Sequence, residues 1–319
     1  MYHKMTNPFL SIVIVTYNSG DTLGDCLDSL SSQTLSRKHY EVIVVDNGSS
    51  DGSVQVANHH EISPKVIAWG NNLGFGRGNN LGVGYTKGEV LVFINPDAAL
   101  QRDALKRLMN HHLEGSSSIG IIGGKLDEGE LTLRPLPSFK NLLSYHRGSF
   151  TRAMPQSILV DVPWVCGAFL SIKESIFMVL DGFDQDYFLY YEETDLCKRV
   201  REIGYRVCVA TDVKASHAGG TSARKVSGGV DSTQNMIPRF RYLAYLIFMR
   251  KHHGVLATLG SVILESILKS LRMLASLRRD SSTRKVILSD TGRDLFHLLK
   301  SAFETRLGTL VPRHPWSVK

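Results

Sequence analysis

A chain of 319 residues, 43% hydrophobic and 21% charged, has the composition of ordinary globular material, enough for one large domain and an appendage, and excludes a disordered or low-complexity protein. Cys26, Cys166, Cys197 and Cys208 stand apart with no Cys-x-x-Cys pair, which excludes a zinc knuckle or a disulfide framework and points to a reducing, cytoplasmic setting. The net charge of +7 belongs to the tail, where residues 239–319 hold 15 Lys and Arg against 5 Asp and Glu while the first 238 hold 22 against 25. A tail of that sign suits an anionic partner, either nucleic acid or an anionic bilayer. Residues 1–8 offer too short an apolar run for a signal peptide, and no window reaches the roughly 18 uncharged apolar residues of a membrane span.

Leu10-Ser11-Ile12-Val13-Ile14-Val15-Thr16 predicts a buried strand, Tyr17-Asn18-Ser19-Gly20 a turn, and residues 22–31 a helix. Glu41-Val42-Ile43-Val44-Val45-Asp46 repeats the design and ends in a carboxylate, after which Asn47-Gly48-Ser49-Ser50-Asp51-Gly52-Ser53 turns the chain into a short helix. Val66-Ile67-Ala68-Trp69 is a third strand. The stretch from Gly70 to Asn80 is a loop crowded with Gly and Asn, whose backbone amides can approach a ligand closely. It is not a dinucleotide fingerprint, because Gly74-x-Gly76 is followed at the third-glycine position by Asn79, and Gly76-x-Gly78 by Leu81.

Val90-Leu91-Val92-Phe93-Ile94 reads as a strand buried on both faces and stopped by Asn95-Pro96-Asp97. Asp97 then either caps a helix beginning near Arg102 or holds a divalent cation against a diphosphate at the carboxyl edge of the sheet. Strand and helix alternate through the first 125 or so residues, the grammar of a doubly wound α/β layer, so Thr16, Asp46, Trp69 and Asp97 should gather along one edge. Two acids there suit a nucleotide diphosphate with a metal better than a bare phosphate.

Past Gly124 the pattern changes to short strands and loops, with Arg134, Pro135 and Pro137 breaking any long helix. Residues 160–172 predict two extended pieces, beyond Trp164 meeting at a small Cys166-Gly167-Ala168 corner that either packs strands closely or leaves room for a substrate. Tyr187-Phe188-Leu189-Tyr190-Tyr191 then breaks into an amphipathic helix starting with Glu192, Glu193 and Asp195. Those acids either complement the helix dipole or, half desolvated by Tyr187, Phe188, Tyr190 and Tyr191, supply a general base of raised pKa. Residues 205–210 return as a strand, and Asp212-Val213-Lys214-Ala215-Ser216-His217 leads to Gly219-Gly220; His217 is either an ordinary surface histidine or a ligand to the same cation at the hinge of a mobile loop.

The tail predicts two helices, over 241–253 and 255–277, with apolar faces and cationic edges. Leu256, Leu259, Ile263, Ile267, Leu268, Leu271 and Leu274 recur at spacings of three or four with one slip, a stripe that either packs on the catalytic domain or lies on a membrane. Nucleic acid is a poorer partner, since no aromatic residue between Leu271 and Leu288 interleaves with Arg272, Arg278, Arg279, Arg284 and Lys285. A nucleotidyltransferase would ordinarily place a Gly-rich loop with Lys or Arg near the first strand, and Tyr17-Asn18-Ser19-Gly20 offers neither.

Six stretches in this order and spacing together carry a resemblance: Val15-Thr16-Tyr17-Asn18-Ser19, residues 45–53, Asn71-Asn72-Leu73-Gly74-Phe75-Gly76, Asn95-Pro96-Asp97, residues 190–199 and His217-Ala218-Gly219-Gly220. Over about residues 10–250 the chain resembles a bacterial family 2 glycosyltransferase of the GT-A fold, most closely its rhamnosyltransferase-like branch. The resemblance implies a GT-A catalytic domain over 1–235, a Rossmann-like, mostly parallel α/β sheet with a nucleotide-sugar half (8–125) and an acceptor half (126–235), followed by a basic helical region over 236–319. It implies that Thr16, Tyr17, Asn18, Asp46 and Asn47 meet the nucleotide, that Asn72, Gly74, Phe75 and Arg77 line the donor, and that Asn95-Pro96-Asp97 stands in for the Asp-x-Asp motif. Asp97 and His217 would hold Mn2+ or Mg2+, and Trp164, Cys166, Gly167 and Tyr191 would line the acceptor or sugar pocket.

The family's usual Glu-Asp pair before the last helix is here Glu192-Glu193, so the base lies between Glu193 and Glu192, with Asp195 structural or acceptor-orienting. The implied activity is metal-dependent, inverting hexosyl transfer from a dTDP- or UDP-linked sugar, best matched by dTDP-rhamnose, to a glycan or polyprenyl-diphosphate-linked acceptor in cell-surface polysaccharide synthesis. The implied setting is the cytoplasmic face of the inner membrane. A transferase for another UDP-sugar and a non-catalytic sugar-nucleotide binder are the alternatives.

Overall fold

The computed structural model describes residues 8–126, 135–142, 157–217 and 230–311, with residues 230–238 in backbone only. Arg134 and the expected hinge glycines Gly219-Gly220 lie outside them. The chain divides into two compact units, the first made of Met1–Pro135, Phe150–Phe188 and Glu192–Gly228, the second of Leu136–Ser149, Leu189–Tyr191 and Gly229–Lys319.

The first unit is built on one sheet. Its strands are β1 (Leu10–Thr16), β2 (Tyr40–Asp46), β3 (Lys65–Ala68), β4 (Val90–Ile94), β5 (Ala98–Leu100), β6 (Ile119–Leu126), β7 (Leu159–Asp161), β8 (Phe169–Lys173) and β9 (Arg206–His217). They run in the order β3-β2-β1-β4-β8-β6-β9-β5, with β7 on β9. The first four pair in parallel, as runs of β-branched residues buried on both faces require. Beyond β4 the pairing is mixed: β8 runs antiparallel between β4 and β6, and β9 returns parallel to β6. The α/β class stands, and the parallel description holds for strands β1 to β4.

Period-two alternation sends successive strand residues to opposite faces, and each face is covered. Ile12, Ile14, Val42, Val44, Val92 and Ile94 join one core with Leu23, Cys26, Leu27 and Leu30 of α1 (Leu23–Ser31), while α2 (Ser53–His59) adds Ala57. Val13, Val15, Ile43, Val45, Leu91 and Phe93 face the other way, toward α3 (Phe75–Val83) and the later helices α5 (Glu174–Val179) and α6 (Glu192–Glu202). Helix α4 (Ala104–Glu114) closes the first face.

Glycines let α3 lie directly on the sheet. A Cβ on Gly82 would stand 2.5 Å from Val13 Cγ1 and 3.0 Å from Val45 Cγ2, and one on Gly78 2.8 Å from Val15 Cγ1. All three obstacles are β-branched strand residues with stiff rotamers, so the helix itself would have to move. Gly82→Ala should therefore lower the unfolding free energy by about 1–3 kcal/mol, the usual cost of overpacking, in a denaturant titration.

A second consequence of burial is a stability that depends on pH. His112 of α4 is buried, with Nε2 donating to Ser171 Oγ at 2.8 Å while that hydroxyl donates to Ile122 O at 2.9 Å. Desolvation, helped by Lys173 and His111, pushes its pKa down from 6.5 to about 3. The folded pKa lies below the unfolded one, so between them the unfolded chain binds the extra proton and stability is lost as pH falls through that window. Moving from pH 7.5 to 5 should cost about 2 kcal/mol from this group alone, and His112→Gln should remove that part of the slope.

The second unit is helical. Helix α7 (Val230–Ser276) is interrupted at Gly254, whose φ of 80° and ψ of 177° break it where the sequence divides its two tail helices. Helix α8 (Ser281–Glu304), which the sequence pattern did not single out, starts at Asp280, whose side chain accepts the Thr283 N–H at 3.0 Å. Among the described residues one helical stretch, Arg239–Ser276, is long and apolar enough by length and composition to cross a membrane, although Lys251, Glu265, Lys269 and Arg272 interrupt it and keep its uncharged runs short of the expected span.

Candidate active site

The carboxyl ends of the parallel strands share one edge, since Thr16 pairs with Asp46 and Asp46 with Ala68. The turn after β2 fixes Asp46: its Oδ2 accepts the N–H groups of Gly48 and Ser49, each at 3.1 Å. Its Oδ1, Thr16 Oγ1 and Asn47 Oδ1 are buried with no hydrogen-bond partner among the described residues. Three orphaned acceptors at one strand edge are costly unless a ligand's donors meet them.

Asn18 is committed differently. It takes a φ of 51°, its Oδ1 accepts the Ser50 N–H at 2.8 Å, and its own N–H donates to Ser49 Oγ at 2.9 Å, so it laces the first turn to the second. Tyr17 beside it is half-buried.

Around the glycine loop, Asn72 Oδ1 accepts the Gly74 N–H at 2.9 Å, Asn47 Nδ2 donates to Gly74 O at 3.0 Å, and the Phe75 N–H donates to Phe188 O at 2.9 Å. Gly74 needs its residue type twice over, having a φ of 84° and standing where a Cβ would meet Phe188 O at 2.3 Å. Gly76 and Gly78, read from sequence as loop glycines, belong to α3 and serve packing. Arg77 is exposed and donates through Nε to Gln185 O at 2.8 Å. Asn79 is a polar residue at this site that the sequence reading missed: it is buried, its Nδ2 bonds Phe75 O, and its Oδ1 has no partner among the described residues. A second Asn one helical turn past the glycine loop was the available signal.

Asp97 does not cap a helix. It sits in the turn between β4 and β5, and α4 begins only at Ala104, after Asp103. Pairing of β5 with β9 sets Ala98 opposite His217, which brings His217 Nε2 to 3.2 Å from Asp97 Oδ1 and 3.3 Å from Asn95 Nδ2. The negative field of Asp97 also reaches Cys26, whose thiol burial and then this charge push up to about 12. One carboxylate and one imidazole are donors that suit Mn2+ or Mg2+. No group of three or more His, Cys, Asp or Glu assembles among the described residues, so a cation held by these two donors would need its remaining positions filled by a diphosphate and water.

The acids of α6 take three different environments. Asp195 is buried, accepts Arg199 Nε at 2.6 Å and the Tyr187 hydroxyl at 3.4 Å, and Arg199 goes on to bond Leu180 O and Gly182 O. That network ties the preceding turn to the helix. Glu192 is buried beside Gly76, and desolvation, then the charge of Glu193, hold its carboxyl well above the usual range. Glu193 is half-buried and lies against the Cys-Gly-Ala corner, where a Cβ on Gly167 would be 3.5 Å from Glu193 Cβ and 3.4 Å from the Phe75 ring. Cys166 is exposed there and Trp164 half-buried. The corner thus sets Gly167, Phe75 and Glu193 side by side. Of the aromatic residues expected around the acids, Tyr187 touches Asp195, while Tyr190 and Tyr191 belong to the second unit. There Arg241 lies 4.9 Å over the Tyr190 ring, and Tyr191 packs 5.6 Å from Phe248 and 6.1 Å from Tyr245.

Among solved structures, the mannosyltransferase PcManGT from Pyrobaculum calidifontis, in complex with GDP-Man and Mn2+, superposes with a TM-score of 0.60 at 16% identity, covering 94% of this chain and 88% of that one. The fold is therefore that of the GT-A-like glycosyltransferases. A family model described as Glycosyl transferase family 2 matches residues 11–178, more than half of the chain, and the chain belongs to that family. Rhamnosyltransferase WbbL of Escherichia coli (strain K12) is 28% identical over 221 residues, 65% of this chain and 82% of its own length. The N-acetylglucosaminyl-diphospho-decaprenol L-rhamnosyltransferase of Mycobacterium tuberculosis (strain H37Rv) is 26% identical over 313 residues, 88% of this chain and 97% of its own.

Proposed function

We propose that this family 2 glycosyltransferase moves a sugar, with inversion, from a nucleoside diphosphate to a hydroxyl of a glycan or polyprenyl-diphosphate-linked acceptor during cell-surface polysaccharide synthesis. The observation that carries the reading is the trio of orphaned buried acceptors, Thr16 Oγ1, Asp46 Oδ1 and Asn47 Oδ1, at the strand edge where α/β sheets take nucleotides. They match the N–H and O–H donors of a base and ribose. Rhamnose as the sugar draws on what both relatives are named for and a lipid-linked acceptor on the name of the mycobacterial one, while dTDP as the carrier rests on the family resemblance alone.

Asp97 and His217 are the residues that would hold Mn2+ or Mg2+, which when bound neutralises the charge left on the departing diphosphate. Glu193 takes the proton of the acceptor hydroxyl as its oxygen attacks the anomeric carbon, and the bond from that carbon to the diphosphate breaks on the opposite face, so a single displacement inverts the centre. Glu192, kept toward its protonated form by burial, leaves Glu193 as the proton acceptor. Gly167 adds no side chain beside Glu193 and Phe75, and Asp195 holds α6 in place through Arg199. The protein works at the cytoplasmic face, where nucleotide sugars are made.

The test is a panel of dTDP-, UDP- and GDP-sugars incubated with Mn2+ or with a chelator, reading released nucleoside diphosphate. Metal-dependent release from dTDP-rhamnose above all others is expected. Release from a UDP-sugar instead changes the donor, and tight binding without release under any condition would make the protein a sugar-nucleotide binder and overturn the catalytic reading.

A further inference from the structure

The helical pair of the second unit exposes a long apolar stripe. Along α7 past Gly254, the large side chains Leu256, Leu259, Ile263, Ile267, Leu271 and Leu274 are exposed, Leu256 to 81%. Five of the residues buried along the same pair are hydroxylic, Thr258, Ser261 and Ser276 on α7 and Thr291 and Ser301 on α8, beside the buried Val262, His297, Leu298 and Ala302. In water a contiguous stripe of exposed Leu and Ile beside buried Ser and Thr is unfavourable.

The polar groups are handled as a lipid-facing bundle handles them. Thr258 and Ser261 donate to carbonyls one turn back in their own helix, Gly254 O and Ala257 O, each at 2.8 Å, and Ser266 does the same to Val262 O at 2.7 Å. The two charges in the middle of the stripe turn inward: Lys269 Nζ lies 3.6 Å from Glu265 and 3.7 Å from Asp294, with the Lys269 and Glu265 side chains only 11% and 13% exposed. Charges paired inside and apolar side chains outside are what an apolar solvent selects. Helix α8 adds Phe296 and Phe303, the latter 87% exposed. It also exposes Asp290 and Lys300, with 62% and 45% of their side chains accessible, so the pair suits lying along a bilayer rather than crossing it.

Charge decides which bilayer. The turn between α7 and α8 and its flanks carry Arg272, Arg278, Arg279, Arg284 and Lys285 against the single acid Asp280. We infer that residues 255–304 form an in-plane docking element for an anionic lipid surface, the stripe on α7 entering the acyl boundary and the cationic turn meeting headgroup phosphates.

The experiment is flotation of the full chain with vesicles of 30% phosphatidylglycerol in phosphatidylcholine and with phosphatidylcholine alone, at low and high salt. Wild type should float at least tenfold more with the anionic vesicles, and high salt or Arg278→Glu/Arg279→Glu should abolish that preference. Ile263→Glu/Ile267→Glu, both at exposed positions, should lose flotation on either vesicle while keeping its thermal midpoint and its affinity for nucleoside diphosphate, a readout that separates this inference from the transferase reading. Negligible wild-type binding to both vesicles, or undiminished flotation of Ile263→Glu/Ile267→Glu, would overturn it. A lipid-independent dimer that Ile263→Glu/Ile267→Glu splits, without flotation, would overturn it too and assign the stripe to a second copy of the chain.

Discussion

Asp97→Ala is expected to reduce sugar transfer by roughly a thousandfold or more, the several kcal/mol that metal neutralisation of a leaving diphosphate supplies. The carboxylate is nearly inaccessible, with 2% of its side chain exposed, and its neighbour at 3.2 Å is an imidazole. Removing it leaves His217 as one ligand, too few to hold a hard cation against a diphosphate. Initial rates across a Mn2+ titration check this, with metal-free nucleotide affinity as the control for folding. Near-normal, metal-dependent activity in Asp97→Ala would remove the assignment, whatever His217→Ala did.

Glu193→Gln is expected to keep donor affinity and lose turnover by two to four orders of magnitude, roughly the contribution of a positioned general base. The comparison that gives the result meaning is Glu192→Gln. Burial already pushes the Glu192 carboxyl toward its neutral form, so an isosteric amide imitates what is there and should change the rate only several-fold. Single-turnover rates and donor binding measured on both variants separate them. A fast Glu193→Gln beside a dead Glu192→Gln would move the role one residue back.

Much of the scaffold was legible because its signals are local. The runs at 10–16, 41–46 and 90–94 are too apolar and too β-branched to be anything but doubly covered strands, and a carboxylate ending the second with another in the turn after the third marks the edge where α/β sheets take ligands. Strand direction is not a local property, which is why the reversal at β8 left no trace in composition. The meeting of Asp97 with His217 depends on β5, a strand of three residues, too short to show any period.

The glycine loop misled for a different reason. Gly is chosen both where a backbone approaches a ligand and where a helix approaches a sheet, and only the Cβ distances to Val13 and Val15 tell which holds at Gly82 and Gly78. The choice between Glu192 and Glu193 turns on helical phase. That phase is set by two successive positive φ angles, 72° at Tyr190 and 69° at Tyr191, a strained entry that bulky aromatic residues would not have announced.

In the proposed function, the strand edge bearing Thr16, Asp46 and Asp97 binds a nucleoside diphosphate together with a divalent cation. Calorimetric titration of dTDP and UDP into the protein, with Mn2+ and with chelator, tests it most directly when repeated on Asp97→Ala. The account predicts that Mn2+ tightens nucleotide binding at least tenfold in the wild type and leaves Asp97→Ala unchanged. Nucleotide affinity indifferent to Mn2+ in the wild type, or equally enhanced by it in Asp97→Ala, would contradict it.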